Sequence, residues 1–185
     1  MVLPSFKEFK ALSLEEQIKI FDILFEHTDA LVSLTLLSGS GSFDVIKLNS
    51  YNELVESVRT SLLRLIQDDD QYKLELSDII AAHPKLGVPK EVQGTLSELS
   101  KLEQKNLNDT KNNTAEIKEA LISLNEEYER KYKGLRFVCF VNGRDRQEII
   151  HEMKQILESA NTWNQEANRA INAMCDIALD RIRKL

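Results

Sequence analysis

Apolar residues recur at intervals of three and four along most of this chain, and a capping residue stands ahead of several of these stretches. Ser13 and Glu16 precede Leu14, Ile18, Phe21 and Phe25; Ser50 and Glu53 precede Leu54, Val58, Leu62 and Leu65. Thr95 with Glu98 opens a third stretch. Asp145 with Glu148 opens a fourth, followed by Ile149, Ile150, Met153, Ile156 and Leu157. The Ser/Thr-x-x-Glu spacing lets the side chain at the helix start accept from the third backbone N–H while the glutamate reaches back, so each pair predicts a helix start. Ile117, Leu121, Leu124 and Tyr128 mark another amphipathic helix. Ala167, Ile171, Met174, Cys175, Ala178 and Ile182 mark a long one at the C-terminal end.

Two polar stretches break the pattern: SGSGS around Gly39 and Gly41, and NLNDTKNNT at 106–114. A third break is apolar. LRFVCFVN, between Gly134 and Gly143, has the β-branched and aromatic content of a strand but no second strand to pair with, so it is expected as a buried extended segment or a hydrophobic helix start. No internal repeat and no domain boundary appear. The expectation is an all-α helical bundle with residues 1–185 as a single domain.

Composition narrows the function classes. With 185 residues, 42% hydrophobic and 29% charged, the chain can bury a sizeable core. A net charge of −6, with no basic stripe, argues against nucleic acid or an anionic membrane as the partner. The run Asp68, Asp69, Asp70 reads as a solvated loop between helices. Cys139 and Cys175 make neither a disulfide framework nor a zinc site and read as small buried hydrophobes. The N-terminus lacks a signal-peptide core and no stretch is apolar enough to span a bilayer, so an intracellular protein is expected and the sequons at Asn108 and Asn112 carry no weight. The C-terminus, Arg-Lys-Leu, shares two positions with the peroxisomal Ser-Lys-Leu signal. Arg181, Arg183 and Lys184 are also the cations a helix C-terminus favours, and the expected location is the cytoplasm, with the peroxisome as the alternative.

Two positions carry candidate chemistry. In IIAAHPKLGVP, Pro84 ends the helix that runs through Leu76, Ile79 and Ile80, leaving His83 at its C-terminus. The helix dipole there favours the protonated imidazole, as a simple cap or as a proton-transfer group. In TLSELSKLEQKNL, Leu96, Leu99 and Leu107 define one helical arc; Glu103 projects into it and Ser100 lies at its edge. An inward carboxylate either meets a cation, lines a wet pocket or snorkels at a rim. His27 and His151 read as structural, and Trp163 as a packing anchor.

In order and spacing, HPKLG at 83–87, SKLEQ at 100–104, SLNEEYERKY at 123–132 and RFVCFVNGR at 136–144 resemble the OHCU decarboxylase family, the 2-oxo-4-hydroxy-4-carboxy-5-ureidoimidazoline decarboxylases of purine catabolism. The likeness runs from FEHTDA at 25–30 through the last helix. It implies an all-α fold, a homodimer, and decarboxylation of a small ureidoimidazoline to allantoin without metal or other cofactor. By the same resemblance the catalytic pair is His83 and Glu103. Pro84, Ser100 and Gln104 hold the substrate, together with the segment Phe137, Val138, Cys139, Phe140 and Val141, whose backbone groups would meet the ureido or ring amides.

Some positions depart from the family pattern. Thr28, Asp29 and Ala30 stand where Ser-Pro-Trp is usual, and Leu135, Arg136 and Phe137 where Phe-Pro-Phe is usual. Asn142 stands where the family has an arginine. Losing that guanidinium removes a charge-assisted contact to a substrate carboxylate, for which Arg136 or Arg144 are the candidate replacements. The alternative reading is therefore a divergent member with a shifted substrate, or a helical binding protein without turnover.

Overall fold

The computed structural model describes residues 2–38, 43–67, 71–87 and 114–185, and among these there are eight α-helices, one short 3₁₀ turn and no strand. In chain order they are α1 (Phe6–Ala11), α2 (Leu14–Leu24), α3 (Asp29–Leu34), the 3₁₀ turn Val45–Lys47, α4 (Tyr51–Leu65), α5 (Lys73–Ala81), α6 (Ala115–Lys131), α7 (Arg146–Glu158) and α8 (Trp163–Lys184). The fold is all-α, as the periodicity implies. The stretch opened by Thr95 and Glu98, the SGSGS glycines and the three aspartates lie outside the described residues.

Capping chemistry sets where helices begin. Ser13 with Glu16 and Asp145 with Glu148 form reciprocal boxes, and so do Ser5 with Glu8 and Thr162 with Gln165. At α4 the expected box is half made: Ser50 accepts from the Glu53 N–H at 3.1 Å, but the Glu53 carboxylate takes the Asn49 N–H at 2.8 Å instead. The buried stripe of α2 begins later than expected, since Leu14 is exposed while Phe21 and Leu24 are buried.

The long helix α8 is the axis of the core. Its buried stripe, Ala167, Ala170, Ile171, Met174, Cys175 and Ala178, is mostly small, which lets α4 lie close along it. Helices α2 and α5 also pack on α8, α3 packs on α5, and α6 packs on α7. Both cysteines are free and buried, and burial pushes each thiol up to about 12, so they serve as packing groups.

Residues 135–141 link α6 to α7 without forming helix or strand, with Leu135, Phe137, Val138 and Cys139 buried. Backbone outside helix and strand needs other partners for its carbonyls. Arginines supply them: Arg169 donates to the Val138 carbonyl at 2.8 Å and Arg144 to the Phe140 carbonyl at 2.7 Å. Phe137 is wedged between the edge of Tyr128, at 5.5 Å, and the Arg169 guanidinium, 4.6 Å above its ring. The segment closes on a turn in which Asn142 (φ 43°) and Gly143 (φ 77°) are both left-handed and the Arg144 N–H returns to the Val141 carbonyl.

Candidate active site

Helix α5 ends before Pro84 as the sequence predicts, its last bonds running from the Ala82 N–H to Asp78 and from the His83 N–H to Ile80. The HPKLG loop that follows is fastened at three points, His83, Lys85 and Leu86. Arg136 donates to the His83 carbonyl at 2.5 Å, and Lys85 meets Glu129 at 2.8 Å. The Leu86 carbonyl accepts from Asn125 at 2.9 Å, and the same amide also reaches Leu121. Gly87 has φ +78° and a Cβ there would lie 2.8 Å from Leu121 Cβ, so no other residue fits without a shift. The distant stretches HPKLG, SLNEEYERKY and RFVCFVNGR are thus one assembly, in which the loop's backbone is held at His83 and Leu86.

The imidazole itself is buried, 4% exposed. Burial drives its pKa down to about 4, with the Glu26 carboxylate opposing that shift and the Arg181 and Arg136 guanidinia reinforcing it. This corrects the expectation of a protonated histidine at a helix C-terminus. The dipole is worth a fraction of a kcal/mol to roughly 2 kcal/mol, and desolvation of a buried cation exceeds it. His83 is a neutral imidazole at neutral pH. Exposed His27 behaves oppositely: Asp22, 2.9 Å from its Nδ1, raises its pKa.

Arg181, expected as a helix-end cation, is buried, 2% exposed. It forms an ion pair with the equally buried Glu26 at 3.3 Å and donates to the carbonyls of Ile23 and Leu24 at the end of α2. Neither residue had been singled out for chemistry. The available signal was position, since Arg181 stands seven residues after Met174 and three after Ala178 on the buried face of α8.

Of the other expected site residues, Pro84 is half-buried beside His83, and Phe137 and Val138 have their side chains in the core. Cys139 and Phe140 line an open cavity of about 530 Å³ together with Arg144, Glu152, Arg169 and Asn172. His83 and Pro84 do not line it. Val141 is half-buried at the turn. Ser100, Glu103 and Gln104 lie outside the described residues. Both arginines considered as replacements for the family guanidinium are engaged: Arg136 with the His83 carbonyl, and Arg144 with Phe140, Val141 and Glu152. Among the described residues no group of three or more His, Cys, Asp or Glu side chains could hold a metal ion. No helix among them is long and apolar enough to cross a membrane.

The fold and the site define an all-α protein that holds a buried histidine between a helix end and a proline. Over residues 10–183 the chain matches OHCU decarboxylase, and it belongs to that family of carboxy-lyases. Among solved structures it is similar to a crystal structure of (S)-allantoin synthase, with 15% sequence identity, a TM-score of 0.63 and coverage of 98% of this chain and 54% of that one. That likeness is one of fold, and this chain spans about half the length of the other protein. No curated protein matches the sequence.

Proposed function

We propose that the protein removes carbon dioxide from 2-oxo-4-hydroxy-4-carboxy-5-ureidoimidazoline to give allantoin in purine breakdown, without a cofactor. The observation that carries this reading is His83: a neutral, buried imidazole with its backbone fixed, in a chain matched to the decarboxylase family over nearly its whole length. A neutral imidazole can take the proton of the substrate's C4 hydroxyl. As the carbon–carboxylate bond breaks, its electron pair forms a C4–C5 double bond and the C5=N pair moves onto the ring nitrogen, which takes a proton from solvent; the C4 oxyanion then becomes the carbonyl as the imidazolium delivers its proton to C5 on one face. In this reading Glu103 orients the imidazole, and Ser100 and Gln104 hold the substrate's polar edge so that one face is protonated. The active form is a homodimer in the cytoplasm.

The test is to generate the unstable ureidoimidazoline in situ and follow the circular dichroism of allantoin with and without the protein. Faster formation of a single enantiomer, unaltered by EDTA, is expected; an unchanged rate would sink the reading. A shifted substrate is the second reading, and one observation favours it: Arg136 and Arg144 are already engaged within the chain, so neither is poised for the substrate carboxylate. A panel of related 2-hydroxy-2-carboxy ureides in the same assay separates the two.

A further inference from the structure

The His83 carbonyl lies past the end of α5, where the backbone has run out of intrahelical donors, and Pro84, the next residue, brings no N–H of its own. Arg136 supplies a donor at 2.5 Å, from 53 positions along the chain. The His83 N–H is already bonded to the Ile80 carbonyl at 3.3 Å. Both polar backbone groups of this residue are therefore tied, one to its own helix and one to the segment that follows α6. Several contacts deliver Arg136 to that place. Gly134, with φ +87°, passes so close to α5 that a Cβ there would lie 2.7 Å from the Ser77 Oγ, and Arg136, two residues on, meets the end of the same helix. Glu129 on α6 pairs with Lys85 at 2.8 Å and lies 3.8 Å from the Arg136 Nε. One carboxylate thus faces the cations that hold the chain on either side of Pro84.

We propose that Arg136 is a positioning residue for the reaction: by holding the His83 carbonyl, with Glu129 as its counter-charge, it keeps the imidazole on the line along which the proton is taken and returned. The proposal rests on the reading of His83 as the acid/base group. The guanidinium acts here on the chain and not on the substrate carboxylate, so it is a different role from the missing anchor. Proton transfer is sensitive to such a restraint, because a misplacement of about 1 Å can cost about 10² in rate. Without Arg136 the ψ of His83 is released and the imidazole can drift. The helix itself keeps its own last bond, from the Ala82 N–H to Asp78 at 3.1 Å. The damage from losing Arg136 therefore falls on turnover before it falls on the fold. Lysine can give the carbonyl one donor but lacks the planar fork that also faces Glu129, so it replaces arginine only in part.

The experiment measures the steady-state kinetics of Arg136→Ala in the full-length chain, with and without millimolar guanidinium chloride, far below denaturing concentrations. The Arg136 side chain is 24% exposed, so its removal opens a slot that the free cation can enter from solvent. kcat should fall by about tenfold or more with KM within about twofold of wild type. Guanidinium should restore a saturable part of the loss, sodium chloride at the same ionic strength should not, and Arg136→Lys should retain more turnover than Arg136→Ala. Unchanged kcat in Arg136→Ala, a loss confined to KM, or a loss that neither lysine nor guanidinium recovers would overturn the proposal. A second arm needs no substrate: amide hydrogen exchange at the His83 N–H should quicken in Arg136→Ala and slow again with guanidinium, while the Phe25 N–H at the end of α2 is unaffected. Equal protection of His83 in variant and wild type would equally overturn it. If Arg136→Ala does not fold, Arg136→Lys and Glu129→Gln decide, and wild-type kcat with wild-type protection in both sinks the idea. A wild-type protein that makes no allantoin refutes the proposed reaction, and the exchange arm then judges on its own whether Arg136 holds His83.

Discussion

Helix α8 carries two arginine–glutamate pairs, their arginines twelve residues apart, that look alike and join different parts of the chain. Arg169 pairs with Glu166 on its own helix at 2.8 Å, and that carboxylate, 0% exposed, also accepts from the Tyr128 hydroxyl at 2.9 Å and the Asn161 amide at 2.8 Å. The guanidinium spends its remaining reach on the Val138 carbonyl and the Phe137 ring. This pair is a clamp on the segment that links α6 to α7. Arg181 instead pairs with a residue from the other end of the chain and lies in the field of an imidazole. The comparison teaches that the partners of an ion pair, and not its burial or length, decide which elements of the fold it ties together.

The sharpest way to break the contrast is to remove the group that lies in the field of only one pair. His83→Ala should abolish decarboxylation, a loss of at least about 10² to 10⁴ in kcat, with the far-UV helical signal unchanged. A variant that keeps most of its turnover would end the assignment of His83. Arg169→Met should act chiefly on stability. It leaves Glu166 buried without its counter-charge and uncaps Val138, and breaking a buried pair in this way costs roughly 3–5 kcal/mol. Urea denaturation measures it; a loss below about 1 kcal/mol would show that Tyr128 and Asn161 alone satisfy Glu166.

A smaller effect follows from pH. His83 has a folded-state pKa near 4 against 6.5 for a free histidine. Between those values the unfolded chain binds a proton that the folded chain does not. Folding stability should therefore fall as pH drops from 6.5 towards 4, with a slope of up to about 1.4 kcal/mol per pH unit from this one group. His27 contributes with the opposite sign: its raised pKa stabilises the fold below 6.5 and loses that contribution as pH rises through the folded value, but it is exposed and screened. His83→Asn should flatten the acid slope in a series of denaturation curves. An identical slope in the variant would show that the imidazole titrates freely in the folded protein.

Much of the architecture was legible because helix starts are written locally. Ser13 with Glu16 and Asp145 with Glu148 needed only their own four residues, and Ser5 with Glu8 and Thr162 with Gln165 follow the same rule. The end of α5 was legible through Pro84, and the unpaired character of 135–141 through the lack of any second strand. The charge state of His83 was not. It depends on Glu26 and Arg181, which lie 57 positions before and 98 after it in the chain, and local spacing carries no information about such partners. Arg181 reads as a helix-end cation because a helix C-terminus favours positive charge, and its place on the buried stripe of α8 is the signal that points inward. Asn125 and Glu129, which hold Leu86 and Lys85, were visible as a motif and gained a physical role only when HPKLG was seen against α6.

The smallest expected effect concerns Asn142, the position whose missing arginine favours the shifted-substrate reading. In the structure Asn142 is exposed and left-handed, with φ 43°, and Gly143 follows at 77°. Asparagine is among the few residues that adopt this conformation readily, because its short amide bonds locally. Its identity is accounted for by the turn that reverses the chain into α7, where the Arg144 N–H returns to Val141 at 2.9 Å. Asn142→Gly should therefore leave stability within about 0.5 kcal/mol, and Asn142→Arg should cost about 1 kcal/mol for placing a long side chain in the left-handed region. If anchoring in this chain does not use that position, Asn142→Arg should leave KM for the ureidoimidazoline unchanged. A KM lowered tenfold, which corresponds to about 1.4 kcal/mol of new binding, would show instead that the guanidinium reaches the substrate from this turn and that its absence had weakened anchoring.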